Sequence, residues 1–486
     1  MQLLSCIAVS FFAVPLVVIL MNSLFPKQTA ERMSLYLGGI VAVYQTAAAV
    51  VAFFLLSSSD LQNCDFSLFW DIAGPGAARF SIDSVSIVML FCIGFTSFVS
   101  VLIANQTVRK RTSYVNLLMS LMLGMNGMVI VTDLFSLYVF LEIVGISSFI
   151  MIAMFQSEEG LEGAFKYLVM SCLASIFILV GLAFIFMQTG SLQYAQISIN
   201  AMSSLNVSES FLVYAAFVFI LVGFAIKAGS VPFHYAVPDA YQSADTSVSV
   251  LLSGIVIKIA GIYGLIILTS LFRTVPAVNV SIAVIGIITI LAGALSALRQ
   301  DHFKRLTAYS SVSQAGYILL GICTGSPLGL IGAVLHIFNH AAAKCTLFAN
   351  AEALHRQTGT FDMNGMGGLQ SRMPVTGFSS ITAFLSTTGI PPFAGFWSKL
   401  LIIMALWMNG QELLAGIALF ASIFTAAYML RMQKKVFFGD LPERYSGILE
   451  VKGSIKFAEI MLTIVTIAVG LFFPLILTYL EVRGII

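Results

Sequence analysis

Apolar runs of about 20 residues recur along nearly the whole of this 486-residue chain, each long enough to cross the hydrocarbon core of a bilayer as an α-helix. In that solvent a backbone must satisfy its own N–H and C=O groups, so only helices and closed barrels can span it. Runs of this length select the helix. Composition agrees: 59% of residues are hydrophobic and 9% are charged, against about 25% charged in soluble domains.

Fourteen spans are read, at 3–22, 33–57, 80–104, 112–131, 133–154, 163–188, 211–243 (broken), 245–270, 276–297, 305–323, 326–350, 374–407 (broken), 411–432 and 457–480. The first, MQLLSCIAVSFFAVPLVVILMN, lacks a basic flank and is too long for a signal peptide, so a transmembrane helix is expected. If the loop of Arg109, Lys110 and Arg111 is cytoplasmic, alternation puts Lys27, Arg32, Arg299, Lys304, Arg305, Arg356, Arg372, Arg431, Lys434, Lys435, Arg444, Lys452 and Lys456 on the same side. Only Arg79, Arg273 and Arg483 fall opposite. This asymmetry agrees with the positive-inside rule and predicts both termini on the outer face.

A net charge of +2 and the lack of a basic stripe with interleaved aromatics argue against nucleic acid. The six cysteines, at 6, 64, 92, 172, 323 and 345, form no CxxC pair or Cys/His cluster. Iron–sulfur and structural zinc sites are therefore not expected, and neither is any redox cofactor within this chain.

The chain departs from a lipid-facing pattern between Phe224 and Tyr263, FAIKAGSVPFHYAVPDAYQSADTSVSVLLSGIVIKIAGIY. An apolar helix meets Lys227 and then breaks at Gly229, Pro232 and Pro238, before a second apolar run carries Lys258. Each embedded lysine costs about 2.5–3.5 kcal/mol at a helix centre, and irregular backbone at that depth needs protein or water around it. The resulting reading is a polar path for protons or small cations. Lys166, Lys344 and Lys399 also fall within or at the edge of spans, and Glu142 is the one carboxylate read near the middle of an apolar run. For Lys166, snorkelling to a helix end is the competing reading.

An internal echo points the same way. Gly229-Ser230-Val231-Pro232-Phe233 resembles Gly389-Ile390-Pro391-Pro392-Phe393; each lies in a broken span beside a lysine, Lys227 or Lys399. The breaks are five spans apart, so the two elements run in opposite directions, a pointer to inverted repeats.

His336, His340 and Lys344 lie at i, i+4 and i+8 and share one helix face. The lysine on that stripe disfavours a metal, and imidazole bridges proton gaps near neutral pH, so a relay is read. Hydrogen bonding between helices is the alternative. Burial brings ammonium and amine close in energy, which suits lysine to proton storage, and Glu142 is a candidate switchable partner for Lys227. A static buried pair fixing helix packing is the competing reading. His234, in the first break, either joins the path to one membrane face or satisfies loose carbonyls there. Asp133 reads as a helix cap.

Five ordered stretches, FLEIVGISSF, KAGSVPFHYAVPDAY with LLSGIVIKIAGIYGL, RLTAYSSVSQAGYILLG, HIFNHAAAKCTLF and TGIPPFAGFWSKL, resemble the antiporter-like proton-translocating subunits of respiratory complex I, Mrp-type sodium/proton antiporters and energy-converting membrane-bound hydrogenases. The resemblance spans roughly residues 80–435. AIKAG, PDAY and GFWSK look closest to the hydrogenase and Mrp D-type branch, while Ala236, Tyr241, Ala342 and Cys345 depart from the usual pattern. It implies 14 helices with two inverted five-helix repeats: residues 1–111 as helices 1–3, 112–272 as the first repeat, 273–436 as the second, and 437–486 as a cytoplasmic loop and final helix.

It also implies Glu142 and Lys227 as the coupled pair of the first half and Lys258 as the onward link. Lys344 with His336 and His340 would continue a central polar axis, and Lys399 would be the terminal protonatable group. The expected role is a proton-translocating, or sodium-translocating, subunit of a redox-driven complex in a prokaryotic cell membrane. Its expected partners are further antiporter-like membrane subunits and a peripheral redox module. A subunit of a non-redox Mrp-type antiporter is the alternative, and a purely structural scaffold the third reading.

Overall fold

The computed structural model describes residues 2–58, 63–67, 79–197, 211–272, 275 and 277–482, and Arg273 and Arg483 lie outside them. Its helices are α1 Gln2–Leu24, α2 Lys27–Ser58, α3 Ser84–Thr107, α4 Arg111–Ile130, α5 Leu134–Ala153, α6 Glu158–Thr189, α7 Phe211–Lys227, α8 Ala236–Ser243, α9 Thr246–Leu271, α10 Ala277–Leu298, α11 Phe303–Cys323, α12 Pro327–Thr358, α13 Pro374–Thr388, α14 Ala394–Met408, α15 Glu412–Val436 and α16 Ser454–Val482. Strand β1 Asn63–Ser67 pairs antiparallel with β2 Arg79–Asp83. Each apolar run read from the sequence is a helix here. With α7/α8 and α13/α14 as broken spans the count among the described residues is 14, and a break falls in the fourth member of each five-helix set.

Eleven of the helices are long and apolar enough to cross a membrane. The other three spans are the two broken ones and α11, whose buried Lys304, Thr307, Ser310, Ser311 and Gln314 lower its apolar character.

Local chemistry sets the boundaries. Ser157 accepts from Gly160 N–H at the start of α6, and Ser326 accepts from Gly329 N–H at the start of α12. Asp133 caps α5 by accepting from Ser136 N–H at 2.7 Å, as expected. Pro238 does not break a helix: it lies in the first turn of α8, where the missing N–H costs nothing. The first break is confined to residues between Lys227 and Ala236. Lys258 opens a π-helical stretch, Lys258–Tyr263, which comes after another at Leu252–Val256. Such wide turns inside a helix often occur at functional sites.

The chain divides into two compact units. The first comprises Met1–Val101, Val108–Ala228 and Ile255–Val278; the second comprises Leu102–Thr107, Gly229–Gly254 and Asn279–Ile486. In the first, buried amides tie helices together: Gln45 Nε2 donates to Asn126 Oδ1 at 2.7 Å, and Asn126 Nδ2 donates to Phe11 O at 2.9 Å. Helix α6 there exposes Phe165, Ile176 and Phe186 to the lipid side and buries Ser171, Ser175 and Gly181. Two faces of one helix thus meet two solvents.

In the second unit the apolar core gathers Phe303, Leu306, Leu347, Leu354, Leu369, Tyr428, Met432 and Phe437. The basic residues near the end of α15 do more than set orientation. Arg431 Nη2 and Lys435 Nζ each donate to Asp301 Oδ1 at 2.6 Å. The Lys435 bond, helped by Asn364 and Arg431, holds the Asp301 carboxyl down at about 2. A depressed carboxylate stabilises the fold above its unfolded value of about 3.9 and loses that contribution as pH falls toward 2. Thermal unfolding in detergent should therefore be flat from pH 8 to 5 for this contact, and Asp301→Asn should lower the midpoint at neutral pH but not near pH 2.

Candidate ion pathway

In the first unit, Lys227 ends α7 with 8% of its surface exposed. Its Nζ donates to Ser171 Oγ at 2.6 Å. One turn along α6, Ser175 Oγ donates to Glu142 Oε1 and also reaches Ser171 O at 2.9 Å. The amine and the half-buried acid are therefore bridged by two serines of α6 and are not in direct contact. A proton has a hydroxyl-lined connection between them, and the charges still feel each other. Lys258, 1% exposed, belongs to the same unit.

The second unit holds a longer chain of contacts. Lys344 Nζ donates to Ser310 Oγ and to Thr307 O at 3.1 Å. Ser310 and Thr307 belong to the polar face of α11, which continues through Ser311 to Gln314. Ser311 Oγ lies 2.8 Å from Ser253 Oγ. Gln314 Oε1 lies 3.2 Å from His336 Nε2, and His336 Nδ1 lies 2.9 Å from Ser398 Oγ. His340, 2% exposed, stands one helical turn from both His336 and Lys344.

Next to Ser398, Lys399 is 4% exposed, and its Nζ donates to Thr387 O at 2.8 Å and Thr388 O at 3.2 Å. These carbonyls are free because α13 ends there: Gly389, at φ +88°, closes the helix in the left-handed region that glycine tolerates. The ammonium also stands 4.4 Å from the Tyr317 ring centroid. The break thus supplies the lysine with acceptors that a continuous helix would have used internally.

Lys166 lies apart from these groups. It pairs with Glu162 at 2.8 Å, one turn away on α6, with its side chain 43% exposed. His234, in the first break, stacks on Tyr235 at 4.7 Å and meets the Tyr309 ring at 6.2 Å.

Several buried polar groups go beyond those picked out in the sequence. Lys304, assigned above to a cytoplasmic loop, is 2% exposed, and its Nζ donates to Ala244 O at 2.5 Å. Two acids join Glu142 in the interior: Glu352 is 6% and Glu459 0% exposed. Glu352 accepts from Thr246 Oγ1 at 2.7 Å and from Arg356 Nε at 3.0 Å. The signal for Glu352 was hidden because α12 runs eight residues past the expected end at 350, to Thr358. At the start of α11, burial and the neighbouring Lys304 and Arg305 push the His302 imidazole down to about 4. It is neutral, as its role of accepting from Arg305 N–H requires.

Fold and site together define a polytopic helical membrane protein whose interior carries two lysine-centred polar networks. Residues 131–425 match the profile of the family described as "NADH:quinone oxidoreductase/Mrp antiporter, TM", and the chain belongs to that family. It is 30% identical over 388 residues to the D-type subunit of the Na(+)/H(+) antiporter of Alkalihalophilus pseudofirmus, covering 79% of this chain and 77% of that one. It is also 30% identical over 362 residues to the NADH-quinone oxidoreductase subunit N of Desulforudis audaxviator, covering 74% of this chain and 72% of the relative. The fold matches a chain of the membrane-bound sulfane sulfur reductase, an archaeal respiratory membrane complex, with a TM-score of 0.87 and 28% identity over 98% of this chain and 96% of that one.

Proposed function

We propose that this chain translocates protons within a multi-subunit membrane complex, driven by a redox module that a partner subunit carries. Glu142, Lys227 and Lys258 would serve the first half; Lys344, His340, His336 and Lys399 would serve the second. The observation that carries this reading is the row of buried polar contacts along α11 and α12: Lys344 on Ser310 and Thr307, then, one turn further along α11, Gln314 on His336 and His336 on Ser398, the neighbour of Lys399 in the chain. A scaffold has no need for buried amines, because each is costly to insert and a hydrophobic residue would pack at least as well.

The similarity to subunit N of a quinone oxidoreductase and to a chain of a respiratory reductase complex supports the redox setting. The similarity to a D-type antiporter subunit supports a second reading, exchange of sodium for protons using an existing gradient. Domain limits at 111, 272 and 436, a prokaryotic cell membrane with both termini outside, and partners that include further subunits of this kind belong to the same proposal.

The test is purification of the native assembly, identification of its subunits and reconstitution in vesicles with a proton-sensitive dye. Co-purifying redox subunits and substrate-driven acidification are expected, together with loss of that signal in Lys344→Met. Sodium-driven proton flux without any redox partner would overturn the redox reading. An active, homogeneous single chain would overturn the multi-subunit one.

A further inference from the structure

Helix α16 contributes a carboxyl to the interior that the network above does not use. Glu459 is fully buried, and its surroundings count hydrogens in an informative way. With the Asn350 amide turned so that its nitrogen faces Glu459, the orientation that satisfies both of its ends, Oε1 accepts from that nitrogen at 2.8 Å, and the nitrogen also lies 2.7 Å from Ser379 Oγ. Glu459 Oε2 lies 3.1 Å from Thr376 Oγ1. That hydroxyl also donates to Glu450 Oε1 at 2.8 Å, while Glu450 Oε2 accepts from Val375 N–H at 2.7 Å, at the start of α13. One hydroxyl carries one hydrogen and cannot donate to two carboxylates. Glu450, which is only half-buried and caps the positive end of a helix, is the acid suited to remain ionised. The missing hydrogen then sits on Glu459, whose Oε2–H donates to Thr376.

Helix α13 gives that proton somewhere to go. Seven of its fifteen residues carry buried hydroxyls: Thr376, Ser379, Ser380, Thr382, Ser386, Thr387 and Thr388. They run from Glu459 to the carbonyls that hold Lys399, about 16 Å at 1.5 Å per residue. Between the ends, Gln433 Nε2 donates to Ser380 Oγ at 2.6 Å, and Ser386 Oγ donates to Asn339 Oδ1 at 2.7 Å. Gln433 Oε1, Thr387 Oγ1 and Thr388 Oγ1 are buried without a hydrogen-bond partner. Such atoms are where a bridging water is stabilised. Of the charged groups, Glu450 from the preceding loop and Lys456 from α16 itself act on Glu459.

We infer that Glu459 is a proton-loading acid at the basic-loop end of the second unit, feeding Lys399 by way of the buried hydroxyls of α13. In one transfer Glu459 gives up its proton and becomes a carboxylate, the hydroxyls and waters hand one proton along, and the Lys399 amine becomes an ammonium. Glu459 is then reloaded from the loop side past Glu450 and Thr376. This branch rests on the proton-translocating reading above and adds a second feed to Lys399, separate from the His336 route.

The test uses the purified assembly in vesicles and compares wild type with Glu459→Gln, Thr376→Val, Lys227→Met and the exposed-loop control Glu443→Gln. Infrared difference spectra under substrate turnover report protonated carboxyl groups independently of flux. Glu459→Gln should remove a protonated-carboxyl band and slow proton flux roughly tenfold, less than the ~100-fold for an obligatory proton-transfer group because the His336 route remains. Thr376→Val should keep the band and slow flux, and Glu443→Gln should match wild type. A wild-type flux in Glu459→Gln, with Lys227→Met inactive, would overturn this branch and leave the general reading standing. No carboxyl band assignable to Glu459 would overturn it equally. Full flux in Lys227→Met would instead sink the translocation reading itself.

Discussion

Replacing Lys227 by methionine is expected to abolish ion translocation in reconstituted vesicles while the assembly purifies intact. The side chain ends α7 at the margin of the first break, and its Nζ is held at 2.6 Å by Ser171 Oγ. Through Ser175 it communicates with Glu142. Methionine keeps much of the buried aliphatic volume and removes the group that can hold and release a proton toward those serines. The loss should be about 100-fold or more, as for removal of an obligatory proton-transfer group. Folding should not suffer, because inserting the lysine itself costs about 2.5–3.5 kcal/mol. A thermal midpoint equal to or above wild type is the companion result. Glu142→Gln should be milder, since Ser175 Oγ can still donate to the amide oxygen. Equal activity of Lys227→Met and wild type would show that protons bypass this group, whatever the stability.

The lipid-facing physics was the most legible part of the chain. Apolar runs place every span and most helix ends to within a few residues, the end of α12 being the largest departure, because backbone satisfaction in a bilayer leaves so few alternatives. The lysines were legible for the same reason: a cation in such a run has a cost that demands partners. Their partners were not. Ser171 and Ser175, which join Lys227 to Glu142, are ordinary small residues at helical spacing in sequence, and only the packing of α6 against α5 and α7 shows what they touch. Lys304 reads as loop charge because it stands one residue inside α11 next to Arg305, whereas the chain from Ala244 folds over it. Glu459 stands at the third position of the expected span 457–480, just after Lys456, where an acid reads as a charge at the membrane edge. Its burial depends on α12 and α13, which lie far earlier in the chain.

The second large effect concerns the other break. Gly395, one residue into α14, is where that helix crosses the end of α13. A Cβ there would stand 1.8 Å from Ser386 O and 2.8 Å from Asn339 Nδ2. The first of these is backbone, which no rotamer change can clear. Gly395→Ala must push α14 away from α13, and Lys399, one turn further on, moves with it. The Thr387 and Thr388 carbonyls would lose their ammonium, and Ser398 would leave His336. Breaking buried contacts of charged groups costs about 3–5 kcal/mol, comparable to much of a domain's stability. The expected result is a sharp fall in the yield of folded assembly, with no proton flux in whatever survives. Gly416, within α15, faces open space, so Gly416→Ala should be tolerated and should stabilise that helix by about 0.8–1 kcal/mol. If Gly395→Ala purified in full yield with wild-type flux, the close crossing at the second break would not be what holds Lys399 in place.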